Sequence, residues 1–434
     1  MASSKKILVV QIAALSEALV ARVSGTLAGL KAQPLDPVFP ALTCVAQATF
    51  RTAALPRAHG MIANGCFDRA LRKALFWEQA SSLVDGPRIW DAFRAQGGTV
   101  GMMFWQQSLG EDVDLIVSPR PIHKHSGGMI QAVYSKPAQV YDNLCKRVGR
   151  PFNLFQYWGP LAGRKASYWI VDAVCAVLDQ SDVAPDLLLT YLPHLDYDVQ
   201  RHGPDHPKAS AALDVTMSML ALLASCAQRN GYEFVMYGDY AIGPASRGAI
   251  FPNRVLREVG LLGVQNVRGM AYPDLFDARA WAMVDHEVAH VYVRRDDDLP
   301  AARAALQKLP GVAHVLDREQ QTAWGVDHPR AGELVLIAED GAWFAYPWWS
   351  DKREAPDFAG HVDIHNKPGF DPCELFFGWP PGSVSMNTQR VGGTHGRIGE
   401  NRRTVWASSL TWDRPVQSLT DLSGAVRDWL SDAK

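Results

Sequence analysis

The chain has 434 residues, of which 47% are hydrophobic and 20% charged, and its 43 Lys+Arg against 45 Asp+Glu leave a formal charge of −2. That composition excludes a mainly disordered, collagen-like or coiled-coil chain. The near balance of charge supplies no global field to hold a nucleic-acid polymer or an anionic membrane surface.

In chain order, Ile7–Ile12 reads as a first buried strand, too short and too poorly followed to be the apolar region of a signal peptide. Further short β-rich runs at 98–104, 186–192 and 233–238 alternate with longer helical stretches, as in βαβ units around a mainly parallel sheet. The stretch 211–229 places Leu213, Met217, Leu220, Leu223 and Ala224 on one helical face and stops near Asn230-Gly231. Beyond residue 250 the pattern is mixed and rich in Trp and Pro, with strands expected at 280–293 and 332–344. A return to the core follows at 391–410, with a strand at 404–407 and a terminal helix near 419–430. The expected organisation is an α/β sandwich built from 1–250 and 386–434, interrupted by a smaller α+β cap at 251–385. Six cysteines, Cys44, Cys66, Cys145, Cys175, Cys226 and Cys373, stand singly with no CxxC. That usage suits reduced thiols, and with no run of about 18 apolar residues it gives the expectation of a cytoplasmic protein without a membrane span. The aromatic-rich cap offers surface for pairing with a second copy.

Open α/β sheets bind ligands beyond the carboxyl ends of their strands, which directs attention to four segments. Thr43 lies in Pro40–Thr49, ahead of Pro56–Asn64; its hydroxyl is a nucleophile only when a metal or base activates it, and otherwise a helix cap. Tyr191–Pro204 holds His194, Asp196 and Gln200 in a run whose carboxylates and imidazoles suit hard divalent metals, unless it is a polar surface loop. Asp239 follows the strand 233–238 as a ligand or an N-cap. In Gly392–Arg397 the glycines let the backbone approach a bound group that His395 is placed to coordinate.

Two further segments lie in the expected cap. If Val284–Val293 is one strand, His286 and His290 share a face, as ligands or as hydrogen-bonded core histidines. His361–Pro372 carries Asp363 and His365, suited to orienting a substrate, and Lys367, suited to an anionic group, unless the segment is a loop held by turns.

Taken in order, these segments resemble the type I phosphodiesterase/nucleotide pyrophosphatase branch of the alkaline phosphatase superfamily, over roughly 5–65, 185–250 and 391–410. The family's Thr-Phe-Pro-Asn, followed by Pro-x-x-His-Gly-Ile-x-x-Asn, resembles Thr43-Cys44-Val45-Ala46 with Pro56, His59, Gly60 and Asn64, which gives Thr43 the nucleophile's place. Its Asp-x-x-Gly-His-x-x-Gly-Pro resembles Asp196 to Pro204, its Asp-His-Gly-Met resembles Asp239-Tyr240-Ala241-Ile242, and its late Gly-x-His-Gly resembles Gly393-Thr394-His395-Gly396. The departures fall on metal ligands and their neighbours. The family's first-strand Asp-Gly is Ala13-Ala14 here, its His after Asp196 is Gln200, its His after Asp239 is Tyr240, and the Asn beside the nucleophile is Ala46.

The resemblance implies a hydrolase of a phosphodiester, pyrophosphate or phosphonate-like small molecule. Thr43 would attack phosphorus, and Asp196, Asp239 and His395, with His286 as a replacement ligand, would hold divalent metal, zinc first and manganese second, in a number left open. His194, Gln200, His290, Asp363, His365 and Lys367 are the expected substrate contacts. Two alternatives accept the lost ligands at face value: a rebuilt one-metal or metal-free hydrolase or lyase of another polar metabolite, and a ligand-binding relative without turnover.

Overall fold

The computed structural model describes residues 5–23, 25–125 and 128–432. In chain order, the elements that position the site are the strands Ile7–Ile12 (β1), Gln33–Leu35 (β2), Val100–Met103 (β3), Leu115–Pro119 (β4), Val133–Lys136 (β5), Leu187–Leu192 (β6), Glu233–Gly238 (β7), Ala280–Asp285 (β8), Val288–Val293 (β9), Val312–Leu316 (β10), Leu334–Ala338 (β11) and Thr404–Ser408 (β12). The helices are Thr43–Thr52 (α1), Arg164–Leu178 (α2), His194–His202 (α3), Pro207–Arg229 (α4) and Leu419–Ser431 (α5).

The central eight-stranded sheet runs β5-β4-β3-β6-β1-β7-β12-β2. Its middle strands, β4, β3, β6, β1 and β7, are parallel, and the edges are finished by antiparallel pairing. β1 lies at the centre with every residue fully buried, as a strand covered on both faces must be. Its side chains alternate: Leu8, Val10 and Ile12 pack among residues of α2 and α4, whereas Ile7 and Val9 pack among residues of α1 and α5. Gln11 falls on this second side, a polar residue in an otherwise apolar strand. By length and composition α4 would suffice to cross a membrane, and its Leu213, Leu220 and Leu223 pack into the core.

The stretch 280–338 forms an antiparallel sheet of its own, β8-β9-β11-β10. Its apolar side chains join the cluster on the α1 side of the central sheet. Two expected strands are corrected here. Residues 280–293 are a hairpin rather than one strand, because His286 takes the left-handed conformation, with φ +57, and turns the chain at His286-Glu287. Residues 332–344 break after Ala338 into β11 and a short strand at Ala342–Phe344.

Helix α1, which carries Thr43 in its first turn, is anchored near its far end by Arg51. This fully buried guanidinium donates to Glu111 at 3.0 Å and to the Gln107 carbonyl at 2.7 Å, and Glu111 is also paired with Arg88 at 3.1 Å. Removing one member of a buried pair strands the rest, at a typical cost of about 3 kcal/mol or more. Arg51→Ala is therefore expected to lower unfolding free energy by about 3 kcal/mol in a denaturant titration; a change within experimental error would show that the anchor contributes nothing.

Candidate active site

The site sits at the carboxyl ends of β6, β1 and β7, where an open α/β sheet gathers ligand-facing loops. Asp196 lies in the first turn of α3, directly after β6, and Asp239 directly follows β7. Thr43 is the first residue of α1, with Leu42 as an extended N-cap. The backbone N–H of Cys44, one of the donors a helix start leaves open, goes to Asn64 Oδ1 at 3.0 Å.

Each carboxylate is held by donors of the chain itself. The Tyr240 phenol donates to Asp196 Oδ1 at 2.9 Å, and the Gln200 side-chain amide donates to Oδ2 at 2.7 Å. Asp239 accepts from the Gln11 side-chain amide at 2.9 Å, from the Ala14 N–H at 3.2 Å and from the Tyr240 N–H at 2.9 Å. The Gln11 carbonyl oxygen in turn accepts from the Tyr237 phenol at 2.7 Å. The Thr43 hydroxyl donates to the Tyr240 phenol oxygen at 3.5 Å, completing a line from Thr43 to Asp196.

Four rings stack beside these carboxylates. Tyr240 lies flat on His395, with centroids 3.6 Å apart and planes within 1°; His395 meets His286 at 3.7 Å, and His286 meets Phe370 at 3.7 Å. His395 Nδ1 donates to the Ala41 carbonyl at 2.8 Å, which assigns the proton of that neutral ring to Nδ1, and His286 Nδ1 shares a hydrogen bond with Asp285 Oδ1 at 2.8 Å. Asp285 also accepts from the Asn64 N–H at 2.7 Å and its side-chain amide at 3.2 Å, tying the α1 N-terminus to His286 through Asn64. The buried Nε2 of His286 has no partner.

The His395 loop reaches this position because glycines carry it. A Cβ on Gly392 would meet the backbone N of Gly203 at 2.6 Å, and one on Gly393 would meet the Val199 carbonyl oxygen at 2.5 Å. These glycines thus permit close packing on α3, rather than approach to a bound group.

Burial dominates the electrostatics. It pushes the Asp196 carboxyl up to about 6, against the opposing pull of the Gln200 and Tyr240 hydrogen bonds, and Asp285 up to about 7. It holds Asp239 well above the usual carboxylate range, and His286 and His395 well below the usual imidazole range. All members are shielded from solvent: Thr43 is 3% exposed, Asp196 4% and His395 1%.

Of the expected site residues, the structure brings together Thr43, Asp196, Asp239, Gln200, His286 and His395. His290 is a core histidine of β9: its Nε2 donates to the Ile62 carbonyl at 3.1 Å and its Nδ1 accepts from the Gly332 N–H at 3.3 Å. Lys367 is buried in ion pairs with Asp371 at 2.7 Å and Glu374 at 2.9 Å, which leaves it committed rather than open to an anionic substrate. Asp363 accepts from Asn366, and His365 contacts the Phe76 carbonyl at 3.1 Å, so both have local roles. His194 begins α3, buried, with neither ring nitrogen bonded. Sequence reading missed Gln11, Tyr237, Asn64 and Asp285 as members of the network. The signal for Gln11 was its place as a lone amide in a fully apolar strand.

The family model for type I phosphodiesterase/nucleotide pyrophosphatase matches residues 12–371. The chain belongs to that family. The family is one of hydrolases, which places this member among the phosphodiesterase/pyrophosphatase-type enzymes of the alkaline phosphatase superfamily. Solved structures agree in fold. Phosphonoacetate hydrolase from Sinorhizobium meliloti 1021, solved with phosphonoformate, aligns at TM-score 0.63 and 15% identity over 99% of this chain and 96% of its own. Murine ectonucleotide pyrophosphatase/phosphodiesterase 5 aligns at TM-score 0.59 and 16% identity over 98% and 95%. The human protein of that name aligns at 0.61 and 15% over 99% and 95%. A sequence comparison with curated proteins finds no match.

Hydrolases of this family are metal-dependent, but the residues present do not fit a metal pair. Coordination needs lone pairs on several converging groups. Here each oxygen of Asp196 and Asp239 already faces an N–H or O–H donor, and two of the donors, the Gln200 amide and Tyr240, stand where the resemblance puts imidazole ligands. Among the described residues, no group of three or more His, Cys, Asp or Glu is arranged to hold a metal ion.

The buried ionisable groups set the response to acid. Burial pushes His59 down to about 3 and His194 and His290 down to about 4, alongside His286 and His395. Below about pH 6.5 the unfolded chain protonates these imidazoles while the folded chain does not, so stability falls with pH. Asp196, Asp239 and Asp285 act in the opposite sense, since the folded chain keeps their protons where the unfolded chain has released them. Glu287 and Glu374 join the raised carboxyls and His202 and His328 the lowered imidazoles, so seven histidines oppose five carboxyls, and stability is expected to fall as the pH drops from 6.5 to 5. Thermal midpoints measured across that window test this; a midpoint that rises toward pH 5 would contradict it.

Proposed function

We propose that this enzyme hydrolyses a phosphodiester, pyrophosphate or phosphonate-like small molecule, with Thr43 attacking phosphorus. The observation that carries the reading is the hydrogen-bonded line from Thr43 Oγ1 through the Tyr240 phenol to Asp196, at the N-terminus of α1. A threonine hydroxyl needs a base. As the Thr43 oxygen bonds to phosphorus, its proton passes to the Tyr240 oxygen, the phenol proton passes to Asp196, and the bond from phosphorus to the leaving group breaks. Water then attacks phosphorus, the bond from phosphorus to the Thr43 oxygen breaks as the relay returns its proton to that oxygen, and the proton lost by water neutralises the departed leaving group. The 3.5 Å link is long for a hydrogen bond, and catalytic contacts of this kind tighten when substrate binds. The open N–H groups at the start of α1 suit phosphoryl oxygens.

Charge narrows the substrate. Asp196 and Asp239 are buried within range of each other's charge, Asp285 is buried beside His286, and among the described residues no Lys or Arg forms an ion pair with any of the three. A dianionic monoester would add two uncompensated charges to this setting, whereas a diester adds one. The reading therefore favours diesters over monoesters.

A second reading, a relative that binds its ligand without turnover, draws on the 3% exposure of Thr43. Kinetics with bis(p-nitrophenyl) phosphate and p-nitrophenyl phosphate separate the two. The proposal expects kcat/KM for the diester to exceed that for the monoester by about tenfold or more, and Tyr240→Phe to lower it about tenfold to a hundredfold. Thr43→Ala should abolish turnover while retaining the wild-type circular dichroism spectrum. Undiminished turnover in Thr43→Ala would overturn the nucleophile assignment, and saturable diester binding without product would favour the second reading.

A further inference from the structure

We infer that hydrogen-bond donors of this chain occupy the places of both family cations, and that the exchange is confined to three positions, so that Ala13→Asp, Gln200→His and Tyr240→His together would make a divalent-metal centre. The inference deepens the reading of the Thr43 site and concerns what holds its carboxylates.

The argument rests on what faces each carboxylate. Both oxygens of Asp196 are taken, one by a phenol at 2.9 Å and one by an amide at 2.7 Å. Both oxygens of Asp239 are taken as well, by the Gln11 amide and by the backbone N–H groups of Ala14 and Tyr240. Each carboxylate oxygen has a second lone pair, but a cation approaching it meets the positive ends of these donors, so it would have to turn them away and leave them unsatisfied in a buried setting. Tyr240 is the centre of the arrangement. Its hydroxyl meets Asp196 and Thr43, its N–H meets Asp239, and its ring covers the face of His395. One residue thereby touches Thr43, Asp196, Asp239 and His395.

The same geometry identifies the reversal. Gln200 lies four residues after Asp196 on α3, on the same helix face, so an imidazole there would present a lone pair where the amide now presents N–H. An imidazole at position 240 is shorter than a phenol and would open the space between Asp196, Thr43 and His395. Ala13 directly follows β1 and precedes Ala14, whose N–H reaches Asp239, so a carboxylate introduced at 13 would add a like charge close to Asp239 that a cation would neutralise. His395 needs no change: Ala41 holds its Nδ1 proton, and Nε2 carries the lone pair.

The test reads metal without substrate, so its failure is separate from failure of the Thr43 reading. Wild-type protein, purified without chelator, is analysed for zinc and manganese by mass spectrometry, and its thermal midpoint is measured with and without EDTA. The triple variant is stripped with EDTA, dialysed against zinc and measured in the same way. Wild type is expected to carry substoichiometric metal and an EDTA-independent midpoint. The triple variant is expected to bind at least one zinc and to gain several degrees when zinc is added. Wild-type protein holding one or more equivalents that are lost in Asp196→Ala/His395→Ala would overturn the inference, whether or not the triple variant folds. A folded triple variant that takes up no zinc would overturn the confinement to three positions.

Discussion

The Tyr240 phenol donates to Asp196 while its ring lies flat on His395, and the remainder of the site is arranged around those two contacts. A carboxylate buried at the end of a parallel sheet has few stable states: it binds a cation, it binds a proton, or it is satisfied by hydrogen-bond donors. Asp196 and Asp239 are satisfied by donors, and burial raises the affinity of both for protons. Gln11 and Gln200 are the companions this solution requires, since each supplies an amide to one carboxylate.

The fold delivers these groups from distant parts of the chain. β1 brings Gln11, β7 ends at Asp239, and α3 presents Asp196 and Gln200 on one face. The turn between β8 and β9 presents His286, whose neighbour Glu287 docks on the His395 loop: its N–H donates to the His395 carbonyl at 2.9 Å, and its carboxylate pairs with Arg402 at 2.8 Å. The second sheet therefore closes the site from above, and the stack from Tyr240 to Phe370 runs from the central sheet into the segment that follows that sheet.

Much of this was legible in the sequence, because apolar runs and their spacing report burial directly. The strands β1, β6 and β7 and the helix α4 follow from such runs. Thr43, Asp196, Asp239 and His395 follow from motif order. His286 was legible as a candidate for the wrong reason. A strand would have paired it with His290, whereas a left-handed residue at the hairpin tip sends His286 to the site and leaves His290 in the core. Lys367, Asp363 and His365 looked available because sequence does not show partners; folding commits Lys367 to Asp371 and Glu374. Tyr240 could be seen only as a lost histidine. That its hydroxyl reaches both Asp196 and Thr43 depends on the separation of two strand ends, which no local pattern encodes.

The most direct test of the account is a crystal structure of the wild-type chain grown with excess zinc, with anomalous data collected at the zinc absorption edge. The account requires no anomalous peak between Asp196, Asp239 and His395, with the Tyr240 hydroxyl within hydrogen-bond distance of Asp196 and its ring on His395. A peak at that place, with Tyr240 displaced from Asp196, would contradict it.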